Sequence, residues 1–470
     1  MIESYDKMSL IDEDKSFKNT VLVVAALAAF FPALFSTSVV LALPAIGREF
    51  NANAIEMGWI MNSFSFSIGI FMLITGRLGD IVGRKKLFLF GMLLFTFSTA
   101  FTVFSRSIYI LIIFRVLQGL SHAIVFSTIM AIVSVVFKTG ERGKAVGINL
   151  TATYLGVSLG PFFGGLLTQY LGWRSLFLFL LPFQILTLIL IKYKIKAEWA
   201  DSAGEKFDYK GSLAFGLFIF GSMYGFSLLP SMSGWIFFAG GLLFGVLFVF
   251  IELRVDHPVL EIRLFSNRMF AFSCMSSIFA YSATSAIGFF SSLYLQYLKG
   301  FDSTTAGLIM ISQPLAMTLL STLAGKISDK KNPAIIVSIG FGIISLGLAL
   351  FWFINENSAI TYMISLLVII GVGFGLFSSP NSNAIMSSVD KKYLGIASGT
   401  LGTVRTIGQM LGMGIALMLF SFYIGREQIT PSIYPDLLMA IRAGFLVFAF
   451  IAAAGIFVSL ARNKRNNIIK

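Results

Sequence analysis

The chain has 470 residues, of which 57% are hydrophobic and only 12% charged, and its mean hydropathy is +0.86. Soluble domains carry about 45–50% apolar residues, so the composition excludes a soluble globular enzyme and marks an integral membrane protein. A net charge of +13 needs no nucleic-acid partner, because membrane lipid with anionic headgroups attracts basic segments at the inner leaflet.

A hydrocarbon core of about 30 Å is crossed by about 20 residues of helix, and about fourteen stretches meet that length. The first 19 residues mix Glu3, Asp6, Asp12, Glu13 and Asp14 with Lys7, Lys15 and Lys18, and are read as an uncleaved cytoplasmic tail. The first span, near 20–44, has Pro32 and Pro44 toward its ends and Ser36, Thr37 and Ser38 between them; such hydroxyls satisfy freed carbonyls or line a cavity. Between spans near 55–76 and 87–105 lies a loop, Gly76-Arg77-Leu78-Gly79-Asp80-Ile81-Val82-Gly83-Arg84-Lys85-Lys86, in which the four-residue spacing of Asp80 and Arg84 allows an ion pair. The fourth span, near 108–133, places Arg115, Gln118, Gly119 and His122 on one helical face. An arginine this deep in a span turns to the protein interior or to water, either as part of a pathway or tied to a neighbouring helix's carbonyls.

The fifth span, near 145–171, is studded with glycine and has an echo. Gly143, Ala145, Gly147, Gly156 and Gly160 recur at one fixed offset as Gly395, Ala397, Gly399, Gly408 and Gly412. Small residues let helices approach backbone to backbone, and a repeated set marks a duplicated membrane protein. Pro161 maps onto Met413, so Gly160-Pro161 and Gly164-Gly165 belong to the first half alone. After a sixth span near 175–193, Lys192 to Lys210 carries Glu198, Asp201, Glu205 and Asp208 and is read as a charged cytoplasmic linker, with a solvated connector favoured over an amphipathic turn around Trp199. Spans near 212–229 and 234–252 precede a second connector with His257-Pro258. Six more follow near 269–297, 305–325, 334–354, 358–380, 395–424 and 441–461, with a weaker copy of the loop, Gly325-Lys326-Ile327-Ser328-Asp329, after the tenth.

With both termini placed in the cytoplasm, the outer segments hold only Arg48, Arg106, Arg174, Lys299, Arg426 and Arg442. Arg115 and Arg405 lie inside spans, and the remaining basic residues fall on the cytoplasmic side, the positive-inside pattern. Cys274 is the only cysteine, so there is no intrachain disulfide, and His122 and His257 have no partner at metal-ligand spacing.

GRLGDIVGRKK resembles the signature loop of the major facilitator superfamily, RVLQG at Arg115 to Gly119 its fourth-helix motif, and GVSLGPFFGG its fifth-helix antiporter motif. With GLFSSPNSNAIMSSV and GIASGTLGTVRTIGQMLG, the chain from about residue 20 to 461 is similar to the fourteen-helix drug:proton antiporter branch. The resemblance implies an all-α integral membrane protein of two pseudo-symmetric six-helix bundles plus two inserted central helices. Its parts are a tail (1–19), an N-terminal bundle (20–193), a linker with the inserted pair (194–268), a C-terminal bundle (269–461) and a second tail (462–470). It also implies alternating access to a small-molecule substrate, coupled to a proton, in the plasma membrane and without a cofactor. Gly76, Arg77, Asp80 and Arg84 would form a cytoplasmic latch, with Asp80 facing the start of the helix near Gly395, and Gly156, Gly160, Pro161 and Gly164 would belong to the gating helix.

The chain departs from the family at the first span, where Phe35 replaces an aspartate. Every Asp and Glu lies in a tail, a loop or at a span end, with Glu56 and Glu252 nearest the membrane. His122 is then the only titratable group near neutral pH inside a span. A cavity holding Arg115 and Arg405 without a fixed acid favours neutral or anionic amphiphiles over cations. Further pathway candidates are Asn62, Asn149, Tyr154, Tyr294, Gln296, Gln313, Asn381 and Asn383, although such residues also serve as glue between helices. Export of amphiphiles is the leading expectation; a transport-inactive receptor or scaffold of the same fold is the alternative. An enzyme is not expected, because the sequence offers no nucleophile–base pair, phosphate loop or metal cluster.

Overall fold

Backbone N–H and C=O groups find no partners in hydrocarbon, so each apolar stretch closes its own hydrogen bonds as a helix. The computed structural model describes residues 15–462 apart from 138–140, 230, 257, 329–331, 390–393 and 426. Asp329 of the weaker loop copy, Arg426 and His257 lie outside the described residues, as do the surroundings of Gly143 and Gly395. The first half runs α1 (Lys15–Phe50), α2 (Ala54–Val82), α3 (Arg84–Thr102), α4 (Ile108–Val136), α5 (Arg142–Leu171) and α6 (Arg174–Lys194). The inserted hairpin is α7 (Tyr209–Ser227) and α8 (Met232–Glu252). The second half is α9 (Arg268–Thr284), α10 (Ile287–Leu293), a π turn (Tyr294–Leu298), α11 (Ser303–Met310), α12 (Ser312–Ser328), α13 (Pro333–Leu350), α14 (Ile360–Ser387), α15 (Leu394–Tyr423) and α16 (Tyr434–Ala461).

Thirteen helical segments among the described residues are long and apolar enough to cross a membrane. Two of them, Arg268–Leu298 and Ser303–Gly325, are interrupted. Pro314 lacks the N–H that would continue the ladder from α11 into α12. The fourteenth expected span is present as α7, which falls short of that apolarity because Tyr209, Lys210, two serines near its ends and four glycines share its 19 residues. Those glycines serve packing: a Cβ on Gly221 would sit 2.8 Å from the Cα of Gly241 in α8.

The duplication is visible in the packing. α1 lies along α5 as α9 lies along α15, and α2 lies along α4 as α12 lies along α14. The inserted hairpin touches both halves through α7, which packs on α2 and on α15. Glu49 marks one end of the bundle and Asp80 the other. At the Glu49 end, Arg174 pairs with Glu49 at 2.7 Å and the Trp173 indole donates to it at 2.7 Å, joining α6 to α1.

Candidate functional site

The glycine helix organises the contact between the halves. Gly156, Gly160 and Gly164 recur every four residues and form one ridge of α5, laid against α1. A Cβ on Gly160 would lie 2.5 Å from Leu34 O, and one on Gly164 would lie 2.6 Å from the Cα of Ser38. Ser38 Oγ donates to Gly160 O at 2.8 Å, and in the second half Ser282 Oγ donates to Gly408 O at 3.0 Å, one turn earlier on the ridge, at the counterpart of Gly156.

A second stripe of α5 faces the other half: Gly147, Thr151, Tyr154, Ser158, Pro161 and Gly165. At the Glu49 end it is closed, since a Cβ on Gly165 would overlap Ser303 O and one on Gly307 would overlap Pro161 O. Asp302 caps α11 at this seal by accepting from Thr305 N at 2.8 Å and Thr305 Oγ1 at 3.0 Å, and these bonds hold its carboxyl below the usual range. The π turn adds Gln296, whose amide donates to Leu41 O of α1 at 3.1 Å, while Ser292 Oγ donates to Val40 O at 2.8 Å. Tyr294 OH instead reaches Asn355 O at 2.6 Å, within the second half.

Midway along the stripe the contacts become polar. Tyr154 OH shares a 2.8 Å hydrogen bond with Ser378 Oγ, and Ser158 Oγ shares one of 3.2 Å with Thr318 Oγ1. Arg405 stands beside them: it donates to Ser382 Oγ at 2.8 Å and lies 5.5 Å from the Tyr281 ring centroid, with its Nε buried and unbonded. Tyr281 meets Phe374 edge-on at 5.3 Å. One turn beyond Arg405, Gln409 is exposed. Toward the Asp80 end the halves part. Gly147 and Gly399, an echoed pair, have no neighbouring atom within 4 Å of where a Cβ would stand, and Thr151 and Ile396 are exposed. The arrangement is a cleft sealed at one end and open at the other, with aromatic and polar side chains at its apex.

Arg115 is fully buried away from that cleft. Its Nε donates to Ile60 O at 3.0 Å and its NH1 to Gln118 Oε1 at 3.0 Å, and Gln118 passes a bond to Thr102 Oγ1 at 3.1 Å. The guanidinium lies 4.3 Å from the Phe64 ring centroid and 5.3 Å from that of Phe35. Among the described residues no carboxylate pairs with it. His122 stands among Phe64, Phe95 and Phe126, with Nδ1 buried and unbonded. Asn62 is also buried, and its Oδ1 has no partner.

Other candidates bond to neighbouring helices. Asn149 donates to Ala25 O at 3.0 Å, joining α5 to α1. Asn381 donates to Ser273 O at 3.0 Å and Ser277 Oγ at 2.9 Å, and accepts from Arg462 at 3.1 Å. Asn383 makes a long 3.4 Å bond to Ser328 Oγ, and Gln313 is half-buried in α12. Arg462, Tyr281, Ser378 and Ser382 were not singled out by sequence. Arg462 lies in the expected tail, yet it folds back on α9 and α14, where burial lowers its guanidinium to about 10.

The loop at the Asp80 end is held by the connector that was expected to be solvated. Arg84 bridges Asp80 at 2.7 Å and Asp201 at 2.8 Å. Arg77 pairs with Glu205 and donates to Ser202 Oγ at 3.1 Å, and Ser202 N donates to Asp80 O at 3.0 Å. Glu198 accepts from Lys85 N at 2.8 Å and Lys86 N at 3.1 Å, and Trp199 is only 5% exposed in an apolar cluster with Val136 and Ile191. The apolar side chain of Trp199, buried there, outweighs the charge pattern and docks the segment. A Cβ on Gly76 would lie 3.7 Å from Ser127 Cβ, in ordinary contact.

Comparison with known proteins matches this architecture. A riboflavin transporter, RibZ, of Clostridioides difficile (strain 630) is 27% identical over 447 residues, covering 94% of this chain and 96% of the relative. The multidrug resistance protein Stp of Mycobacterium tuberculosis (strain CDC 1551 / Oshkosh) is 27% identical over 401 residues, covering 84% of this chain and 74% of the relative. The crystal structure of the human organic anion transporter MFSD10 has the same fold, with a TM-score of 0.65 at 16% identity over 94% of this chain and 99% of that one. The family model of the Major Facilitator Superfamily matches residues 25–413 and 272–467, and the chain belongs to that superfamily.

Proposed function

We propose that the protein is an alternating-access exporter of amphiphilic small molecules, driven by proton antiport across the plasma membrane, with both termini cytoplasmic. The observation that carries this reading is the single face of α5 that is sealed against α11 at Pro161 and Gly165 and open at Gly147. The bias of the basic segments supports a cytoplasmic Asp80 end, and on that orientation the conformation is inward-open. The bundles 20–193 and 269–461 are the rocking units, and the glycine ridges keep each intact while the stripe between them opens and closes. Cargo binds at the apex, against Tyr154, Tyr281, Phe374 and Gln409. Arg405 there favours neutral or anionic groups, because among the described residues no acid pairs with it. The outer shell of Arg115, Gln118, His122 and Asn62 shapes the first bundle beside this site. Relatives named for multidrug resistance and for tetracenomycin C resistance and export support the exporter reading.

The test is reconstitution in liposomes with an imposed pH gradient and a panel of neutral, anionic and cationic fluorescent amphiphiles that includes riboflavin. Neutral or anionic members are expected to move against the proton flux, and Arg405→Gln is expected to reduce anion movement at least tenfold. Movement indifferent to the gradient would remove the coupling, and no movement of any member under any ion gradient would remove the exporter reading.

A further inference from the structure

Two carboxylates meet at the base of the inserted hairpin, and among the described residues no basic group pairs with either. Asp208 caps α7, its Oδ1 accepting from Gly211 N at 2.8 Å. Glu252 ends α8, and its Oε2 accepts from Leu260 N at 3.0 Å. Asp208 is 8% exposed and Glu252 4%. Their other oxygens, Asp208 Oδ2 and Glu252 Oε1, are buried with no hydrogen-bond partner among the described residues. Both point at one spot: a Cβ on Gly211 would overlap Asp208 Oδ2 and lie 2.6 Å from Glu252 Oε1. One turn along the same face of α7, Ser212 Oγ is also buried without a partner.

The charged neighbours do not reach this spot. Lys206, Lys210, Arg254 and Asp256 are exposed, and Glu261 is half-buried in the connector. From α2, Arg77 is engaged with Glu205 and Asp80 with Arg84. From α15, Arg405 bonds Ser382, far along the helix. Two ionised carboxylates this close and this buried repel each other and leave two acceptors facing. One proton between them turns one acceptor into a donor and satisfies both. A metal has less to hold it, since no third His, Cys, Asp or Glu joins the pair among the described residues.

We propose that Asp208 and Glu252 form a carboxylic acid–carboxylate pair that binds a single proton and sets how the hairpin packs between the halves. The pair sits at the base of the hairpin, whose α7 packs on both halves. Phe215, Ile219 and Met223 of α7 share a cluster with Leu73 of α2, Met410 of α15 and Val259 of the connector. Losing the proton drives Asp208 and Glu252 apart, and with them the ends of α7 and α8 against α2 and α15. With Phe35 in the first span, this pair gives the chain an acid that feels both bundles. That coupling role rests on the proton-driven reading above; the proton site itself does not.

Infrared difference spectra of the purified full chain across a pH titration test the site directly. The wild type is expected to show a carboxylic-acid C=O band worth one group, lost in Glu252→Gln and equally in Asp208→Asn, because the new amide donates to the remaining carboxylate. Gly211→Ala, which wedges the pair apart, supplies a second route if an amide variant does not fold. A band that survives in both variants overturns the site. Loss in only one of them overturns the sharing. A band displaced by sodium at fixed pH makes the site a cation site. In liposomes, Glu252→Gln is expected to cut gradient-driven accumulation at least tenfold. If the wild type accumulates nothing while the band behaves as expected, it is the exporter reading that fails.

Discussion

Arg115 keeps a charge in a fully buried position by surrounding it with two aromatic faces, a backbone carbonyl and an amide oxygen rather than with an acid. The planar fork serves Ile60 O and Gln118 Oε1 together, while Phe35 and Phe64 lend the negative faces of their rings. A lysine cannot reproduce that geometry. Arg115→Lys is therefore expected to weaken the first bundle by about 1.5–3 kcal/mol, the scale of one hydrogen bond from a charged group. Melting of the purified protein would fall while the cargo profile stays unchanged; normal melting with an altered profile would instead put Arg115 in the pathway. Sequence placed Arg115 and Gln118 on one face, and they do bond to each other. It could not show that Asn149 and Asn381 bond to neighbouring helices, because polar residues facing a cavity and facing a helix have the same local pattern. Tyr281 and Ser382 escaped notice because their value comes from standing beside Arg405, which only the helix register decides.

At the scale of the helix, the same residue type does opposite work at the two ends of α5. Gly160 is in contact with α1 on every side that a methyl group would occupy, whereas Gly147 borders open space. Gly160→Ala is expected to cost about 1–3 kcal/mol through overpacking. Gly147→Ala should be neutral or stabilise by up to about 1 kcal/mol, because alanine leaves the unfolded chain fewer conformations to lose on forming the helix than glycine does. Thermal melts of the two variants decide it, and equal losses would refute the ridge. The echo between Gly156, Gly160 and Gly408, Gly412 was legible because duplication preserves spacing. The docking of 194–208 was not, since acids in a connector look the same whether they meet water or the Arg84 loop.

The whole molecule is described by which of its two ends is closed. Single cysteines placed at 147 and 165 in a Cys274→Ser background should differ, the first reacting readily with a polar thiol reagent and the second protected between α5 and α11. Equal reactivity would contradict the cleft. The count of spans was readable from hydropathy and the two-fold plan from the glycine echo, whereas which end is closed was not, because one sequence serves every conformation of its ensemble.

The two copies run parallel, so each mouth is framed by corresponding ends of both, with Gly147 and Gly399 together at the open one. At the other, the seal against α11 uses Pro161 and Gly165, and at Pro161 the second copy carries a buried Met413 instead. The sealed mouth is thus unlike on its two sides, with small residues of α5 packed on α11 where the second copy has Met413. On the alternating-access reading, close packing at this one mouth weights the equilibrium toward the state that closes it, before any cargo or gradient acts.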